Sequence, residues 1–260
     1  MKMPLCILVL LGMLCLPGCS KKEAILDAPD MPQFKVEVFS RELPECKDRT
    51  GFCARFHAEY PVFGSGLDSA VRQVVNGAII GAIGQQVTGK SGYVGDKLTL
   101  ENAARHFFDL YYEANDKDAY YAAWEWTTSG EILFLSQKLL SLGIENYNYS
   151  GGAHPNTYSV YLNFNLETGK EIKLKDLVKN KRALEKLARS AFFRAKGISD
   201  SKGLPGADDV FQFPENFGIT EEGLYFFYNP YEAGPYAAGP LDFVLSWKDL
   251  EGICNRPEFY

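Results

Sequence analysis

The side chains with acid, base, metal-binding or redox chemistry are few: three histidines, six cysteines and scattered carboxylates. His154 lies in the stretch Glu145-Asn-Tyr-Asn-Tyr-Ser-Gly-Gly-Ala-His-Pro155, beside a glycine pair and before a proline. An imidazole titrates near neutrality, so His154 is a candidate general base if a carboxylate such as Glu145 or Glu232 orients it. The competing reading is that it bonds backbone and fixes its loop. His57, His106 and His154 have no ligand spacing, so neither a metal nor a cofactor is expected. There is no serine nucleophile elbow and no glycine-rich phosphate loop. No residue is therefore assigned as catalytic. A hydrolase or deacetylase acting through His154 and nearby carboxylates is the alternative to a binding protein.

The second chemically suggestive stretch is Tyr228 to Tyr236, where Pro230, Gly234 and Pro235 stiffen a tyrosine-rich loop. Tyrosine has an apolar face and a polar tip, which suits protein interfaces and sugar stacking alike. Folding alone also accounts for these residues, since Gly and Pro set turns and Tyr can cap a core. Tyr149, His154, Tyr231 and Tyr236 are the candidate ligand-binding residues. Trp124 and Trp126 suit either a carbohydrate platform or a core.

Met1-Lys2 is followed by an apolar run from Leu5 to Leu16, too short to span a bilayer, and then by Pro17-Gly18-Cys19. The order Leu16-Pro17-Gly18-Cys19 resembles the bacterial lipobox, which implies a lipoprotein signal over residues 1–18 and acylation, of the palmitate type, at Cys19. Acyl chains there would anchor an otherwise soluble domain to a membrane. In Gram-negative sorting, Ser20 after that cysteine implies the outer membrane, facing the periplasm. Residues 19–33 lack any period and read as a tether. Cys6 and Cys15 leave with the signal, so Cys46, Cys53 and Cys254 remain. In an oxidising compartment a Cys46 to Cys53 bridge is expected, with Cys254 left over; a bridge from Cys254 to one of the others is the alternative.

The chain has 27 basic and 33 acidic residues, a net charge of −6 that becomes −7 when Lys2 leaves with the signal. That balance argues against nucleic acid and anionic lipid surfaces as partners and suits a basic protein partner.

Positioning these residues falls to elements that the patterning announces. Phe34–Phe39 and Phe52–Tyr60 alternate as half-buried strands. Ser65 and Asp68 open a helix whose apolar face runs from Val71 to Ile83, and Thr99 caps a second, with Ala103, Phe107 and Tyr111 facing inward. Strands are expected over 120–128, over 132–149 as one or two pieces, and over 158–166, before a turn at 166–170. Asp176 is read as the cap of a third helix bearing Leu184, Leu187 and Phe192. Strands over 217–220, 224–228 and 241–247 complete an α+β fold, with helices packed on a mostly antiparallel sheet. Residues 34–260 form one unit in two halves, 34–150 and 151–250, with 145–155 as the loop joining two halves of one sheet.

Five ordered blocks carry a resemblance: Tyr149-Ser-Gly-Gly-Ala-His-Pro155, Phe164-Asn-Leu-Glu-Thr-Gly-Lys170, Leu174-Lys-Asp-Leu177, Gly223-Leu-Tyr-Phe-Phe-Tyr-Asn-Pro-Tyr231 and Pro235-Tyr-Ala-Ala-Gly-Pro240. They are similar to a bacterial extracytoplasmic domain of unknown function. That domain forms the outer part of the lysozyme-sensing anti-sigma factor RsiV and precedes the catalytic domain of PdaC-type peptidoglycan deacetylases. The resemblance implies a cell-envelope location and a non-enzymatic binding role. Its partner would be a lysozyme-type muramidase or a peptidoglycan fragment. It implies neither signalling nor deacetylation, because the anti-sigma segment and the separate catalytic domain have no counterpart here.

Overall fold

In a computed structural model of the chain, the described residues are 31–47, 53–89, 98–115, 123–197 and 211–257. The leader, Cys19 and most of the tether lie outside them. Five strands form the first sheet: β1 (Phe34–Glu42), β2 (Ala54–Phe63), β3 (Trp124–Leu135), β4 (Leu139–Tyr149) and β5 (Asn156–Asn165), in that spatial order. All neighbours are antiparallel except β2 and β3, which run parallel. Parallel strands need a long crossover, and here it contains helices α1 (Ser69–Thr88) and α2 (Leu100–Asn115). The fold is α+β on a mostly antiparallel sheet, as the alternation implies.

Local chemistry accounts for most element ends. Asp68, rather than Ser65, caps α1, its carboxylate accepting from Ala70 N and Val71 N; a carboxylate at a helix start also meets the positive end of the dipole. Thr99 caps α2 through Asn102 N at 3.2 Å, as its position predicts. Asp176 does not cap the long third helix. It sits in a single turn, α3 (Leu174–Leu177), and Asn180 caps α4 (Lys181–Ala195) by accepting from Ala183 N at 3.1 Å. An apolar period marks a helix body but does not say which of two nearby cap residues closes it.

Strand β3 runs unbroken through Gly130, where the pattern had suggested a gap. A Cβ on Gly130 would lie 2.7 Å from Pro61 Cδ, so glycine there answers a close crossing of β2 rather than a turn. The first core gathers Phe56, Ala58, Val75, Ile79, Ile83, Phe107 and Trp126 between α1, α2 and the sheet. Trp126 is buried and donates its indole N–H to Thr128 Oγ1 at 3.0 Å, so it is a core residue; Trp124 packs on Phe107 and Tyr111 at that core's margin.

The second sheet is β6 (Phe217–Ile219), β7 (Gly223–Tyr228) and β8 (Leu241–Ser246), covered by α4 around Phe192, Phe226, Leu184 and Leu245. Strand β5 pairs with β4 over ten residues. The two packing units therefore meet after β5, not at residue 150, and the 150–155 loop is a hairpin turn inside the first sheet. The physical reason is pairing register: Asn148 opposite Asn156 through Leu139 opposite Asn165 satisfies both backbones across the turn.

Cys46 and Cys53 are disulfide-bonded, closing the connection from β1 to β2 with a separation of seven residues, and Cys254 is free and buried. Burial pushes the Cys254 thiol up, against the opposing pull of Lys179, so it stays protonated in its apolar seat. Loop-closure entropy predicts that reducing the bridge lowers stability by about 2.5 kcal/mol. Urea midpoints with and without reductant check this, and equal midpoints would refute it.

Candidate functional site

The hairpin turn between β4 and β5 begins at Ser150. Gly151 and Gly152 have φ of 84° and 99°, a region where a side chain is strained, so the glycine pair is a backbone requirement of this turn. Tyr149 ties the turn to itself, its hydroxyl donating to Gly152 O at 3.1 Å. Pro155 then points its carbonyl at two of the candidate residues. His154 Nδ1 lies 2.8 Å from Pro155 O, and Tyr236 Oη donates to the same oxygen at 2.6 Å. A carbonyl can only accept, so Nδ1 of His154 carries the hydrogen, and in the neutral ring Nε2 is left as an acceptor.

Tyr236 comes from the opposite end of the sequence, in a short 3-10 turn over Tyr236–Ala238 that follows Pro235. Its ring stacks on His154, with centroids 3.8 Å apart and planes 16° from parallel. Tyr231 lies on the far side, its ring centroid 5.6 Å from that of Tyr236. The three rings form one row, and Tyr231 is 63% exposed. Tyr231 also has a φ of 74°, the one positive value among the described non-glycine residues. A bulky residue in that region costs of order 1 kcal/mol, which the surrounding loop must impose. Tyr231→Gly is therefore expected to raise stability slightly, by up to about 1 kcal/mol, while removing the exposed ring. A melting temperature that falls would show that the Tyr231 ring instead supports the fold.

The amide of Asn229 holds the aromatic loop to β5, and the amide of Asn216 grips the same strand; the sequence pattern singled out neither. Asn229 accepts from Ser159 N at 2.7 Å and donates to Ser159 O at 3.1 Å. Asn216 accepts from Tyr161 N at 3.0 Å and donates to Ser159 O at 2.9 Å. Both side chains thus pair with the outer edge of β5 as a neighbouring strand would. Glu232 accepts from Asn229 N at 2.6 Å, and Lys196 Nζ bonds Ala233 O, so the loop is tied at several points. Burial, reinforced by the Glu232 carboxylate, pushes the Tyr158 and Tyr228 phenols up, so both are neutral donors at ordinary pH.

The structure thus assembles His154, Tyr231 and Tyr236, and leaves Tyr149 bound within its own turn. Among the described residues it places no carboxylate on His154. Glu232 is engaged by Asn229, Glu145 sits mid-strand opposite Ser129 and Ser159, and the hydrogen bond of His154 goes to a carbonyl. Among the described residues, no three His, Cys, Asp or Glu side chains gather to hold a metal ion. His57 lies on the exposed side of β2, 3.2 Å from Glu59.

The comparisons with known proteins match the chain in two successive segments, the first of which ends at the start of β5. The deacetylase PdaC family matches residues 49–157, and the family described as protein of unknown function DUF3298 matches residues 173–248. A crystal structure of a DUF3298 family member from Bacteroides fragilis NCTC 9343 superposes with a TM-score of 0.70 at 19% identity, covering 88% of this chain and 95% of that one. A DUF3298 family protein from Pseudomonas aeruginosa PAO1 superposes with a TM-score of 0.64 at 16% identity, covering 87% and 96%. Among curated proteins none matches. At these identities the likeness is one of fold. The two family matches in series, on a fold shared with DUF3298 proteins, support a domain of the DUF3298/PdaC type.

Proposed function

We propose that this is a non-enzymatic lipoprotein of the cell envelope that binds a cell-wall-related ligand, a lysozyme-type muramidase or a peptidoglycan fragment. The row of His154, Tyr236 and Tyr231 is its contact surface. The observation that carries this reading is the row itself: His154 stacked on Tyr236 from a distant loop, Tyr231 tilted against Tyr236, with the Tyr231 ring exposed and backbone strain held at its base. Pre-ordered aromatics bind with little loss of side-chain freedom, and a free imidazole nitrogen adds a directional acceptor. The lipobox-like leader supports the anchor on Cys19, and the match to a deacetylase family supports the cell-wall setting. The negative net charge suits a basic muramidase, whose encounter would be steered by long-range charge.

The test is a calorimetric titration of the chain from Ser20 with lysozyme at low and moderate salt, with residual lysozyme activity on cell walls read in parallel. Saturable one-to-one binding that weakens as salt rises is expected. Absence of heat at high micromolar concentration sinks the muramidase version, and peptidoglycan fragments then take its place in the cell.

A further inference from the structure

The first sheet has two edges, and the chain treats them differently. The β5 edge is sealed at its centre, since the amides of Asn216 and Asn229 occupy the N–H and C=O of Ser159 and the N–H of Tyr161. The β1 edge has no described neighbour beyond β2. Strand β1 is nine residues long, and Phe34, Val36 and Val38 are 44%, 57% and 58% exposed. A long edge strand with apolar side chains is a template for another strand.

The backbone polarity of that edge follows from the ladder. Leu43 N donates to Ala54 O and Gly64 N to Gln33 O, in the register that sets Phe34 opposite Phe63. Hydrogen-bonded pairs alternate in an antiparallel ladder, so odd-numbered residues of β1 bond β2. The N–H and C=O groups of Phe34, Val36, Val38 and Ser40 therefore point outward, and these include the three exposed apolar residues.

We propose that β1 pairs antiparallel with β1 of a second copy of this chain, centred on Val36, joining two five-stranded sheets. In that register Val36 faces the partner's Val36, Phe34 faces the partner's Val38, and Lys35 faces the partner's Glu37, each of the last two twice by symmetry. Apolar meets apolar, opposite charges meet, and about six backbone bonds form from groups that have no partner among the described residues. Neighbouring registers are worse. Centring on Glu37 sets that carboxylate against its own copy, and centring on Val38 sets Lys35 against the partner's Arg41. Centring on Phe39 lays Val36 on the partner's Glu42 and Val38 on the partner's Ser40. Lys35 and Glu37 already form an ion pair within the strand, so both are placed to exchange partners.

The surface is short, so the dimer is weak, with a Kd of roughly 10 to 100 μM. Sedimentation velocity of the chain from Ser20, which retains every described residue, reads it across about 5 to 500 μM. The wild type is expected to shift from monomer to dimer. Glu37→Lys, which sets like charges opposite, is expected to weaken association about tenfold, and Lys35→Glu with Glu37→Lys is expected to restore it to within about threefold. Val36→Pro removes an outward N–H but no bond to β2, and should abolish the dimer while the melting temperature holds. A wild type that stays monomeric throughout overturns the proposal. So does association that persists in Val36→Pro, or a double variant no better than Glu37→Lys.

Discussion

Asn229→Ala is expected to lower stability by about 3 kcal/mol and to loosen the aromatic loop from the sheet. The side chain is 3% exposed and bonds both the N–H and the C=O of Ser159. Removing it leaves the buried Ser159 N–H without an acceptor, which costs about 1 to 3 kcal/mol. It also opens a void between β5 and the loop, and removes one of the two groups bonded to Glu232. Ser159 O keeps Asn216, at 2.9 Å, so the cost stays below that of losing both amides. For a domain of this size the melting temperature should fall by roughly 6 to 12 °C. Because the loop carries Tyr231 and Tyr236, ligand binding should weaken as well. An unchanged melting temperature would show that water replaces the amide without loss, and the sealed-edge account of β5 would fail.

Tyr236→Ala has the largest expected effect on binding, a loss of about 3 kcal/mol or roughly a hundredfold in Kd for lysozyme or peptidoglycan fragments. Tyr236 is the middle ring of the row. Its loss removes the stack on His154, the contact with Tyr231 and the bond to Pro155 O together. Tyr236→Phe separates these contributions: it keeps both ring contacts and loses only the hydroxyl bond, and should cost about 1 kcal/mol. Binding by the alanine variant at wild-type affinity would remove the row from the contact surface. A phenylalanine variant as weak as the alanine variant would mean that the hydroxyl, rather than the rings, meets the ligand. Circular dichroism of both variants distinguishes a loosened loop from an unfolded domain.

The elements were legible because their signals are local. Alternation in Phe34–Phe39 and Phe52–Tyr60 marks β1 and β2, and the 3.6-residue recurrence from Val71 to Ile83 marks α1. The errors lie where two local signals compete. Ser65 against Asp68, and Asp176 against Asn180, are choices between neighbouring caps that chain direction and packing decide. Gly130 reads as a break when its neighbours are unknown, yet in the fold it is the residue that lets Pro61 approach. The boundary at 150/151 came from turn chemistry, which marks a reversal of the chain but not the sheet that the next strand joins.

For the site, composition was legible and assembly was not. Tyr149, His154, Tyr231 and Tyr236 stand out by type and by their Gly and Pro neighbours. Which of them meet depends on contacts between residues 81 apart, through the bond from Tyr236 to Pro155. The role of Asn229 was hidden for the same reason. An asparagine before a proline reads as turn chemistry, and only β5, brought beside it, supplies the backbone groups that its amide matches. By itself the sequence determined the α+β class, the expectation of a Cys46–Cys53 bridge, and the loops rich in aromatic side chains. Spacing along the chain carries that information. The structure chose that bridge over one from Cys254. Tertiary structure decided that His154 faces Tyr236 instead of a carboxylate, that the outer edge of β5 is bonded by side-chain amides while that of β1 has no neighbour among the described residues, and that the second sheet starts only after β5. Those outcomes rest on which backbone groups remain unpaired once the sheets have formed, and no local pattern records that.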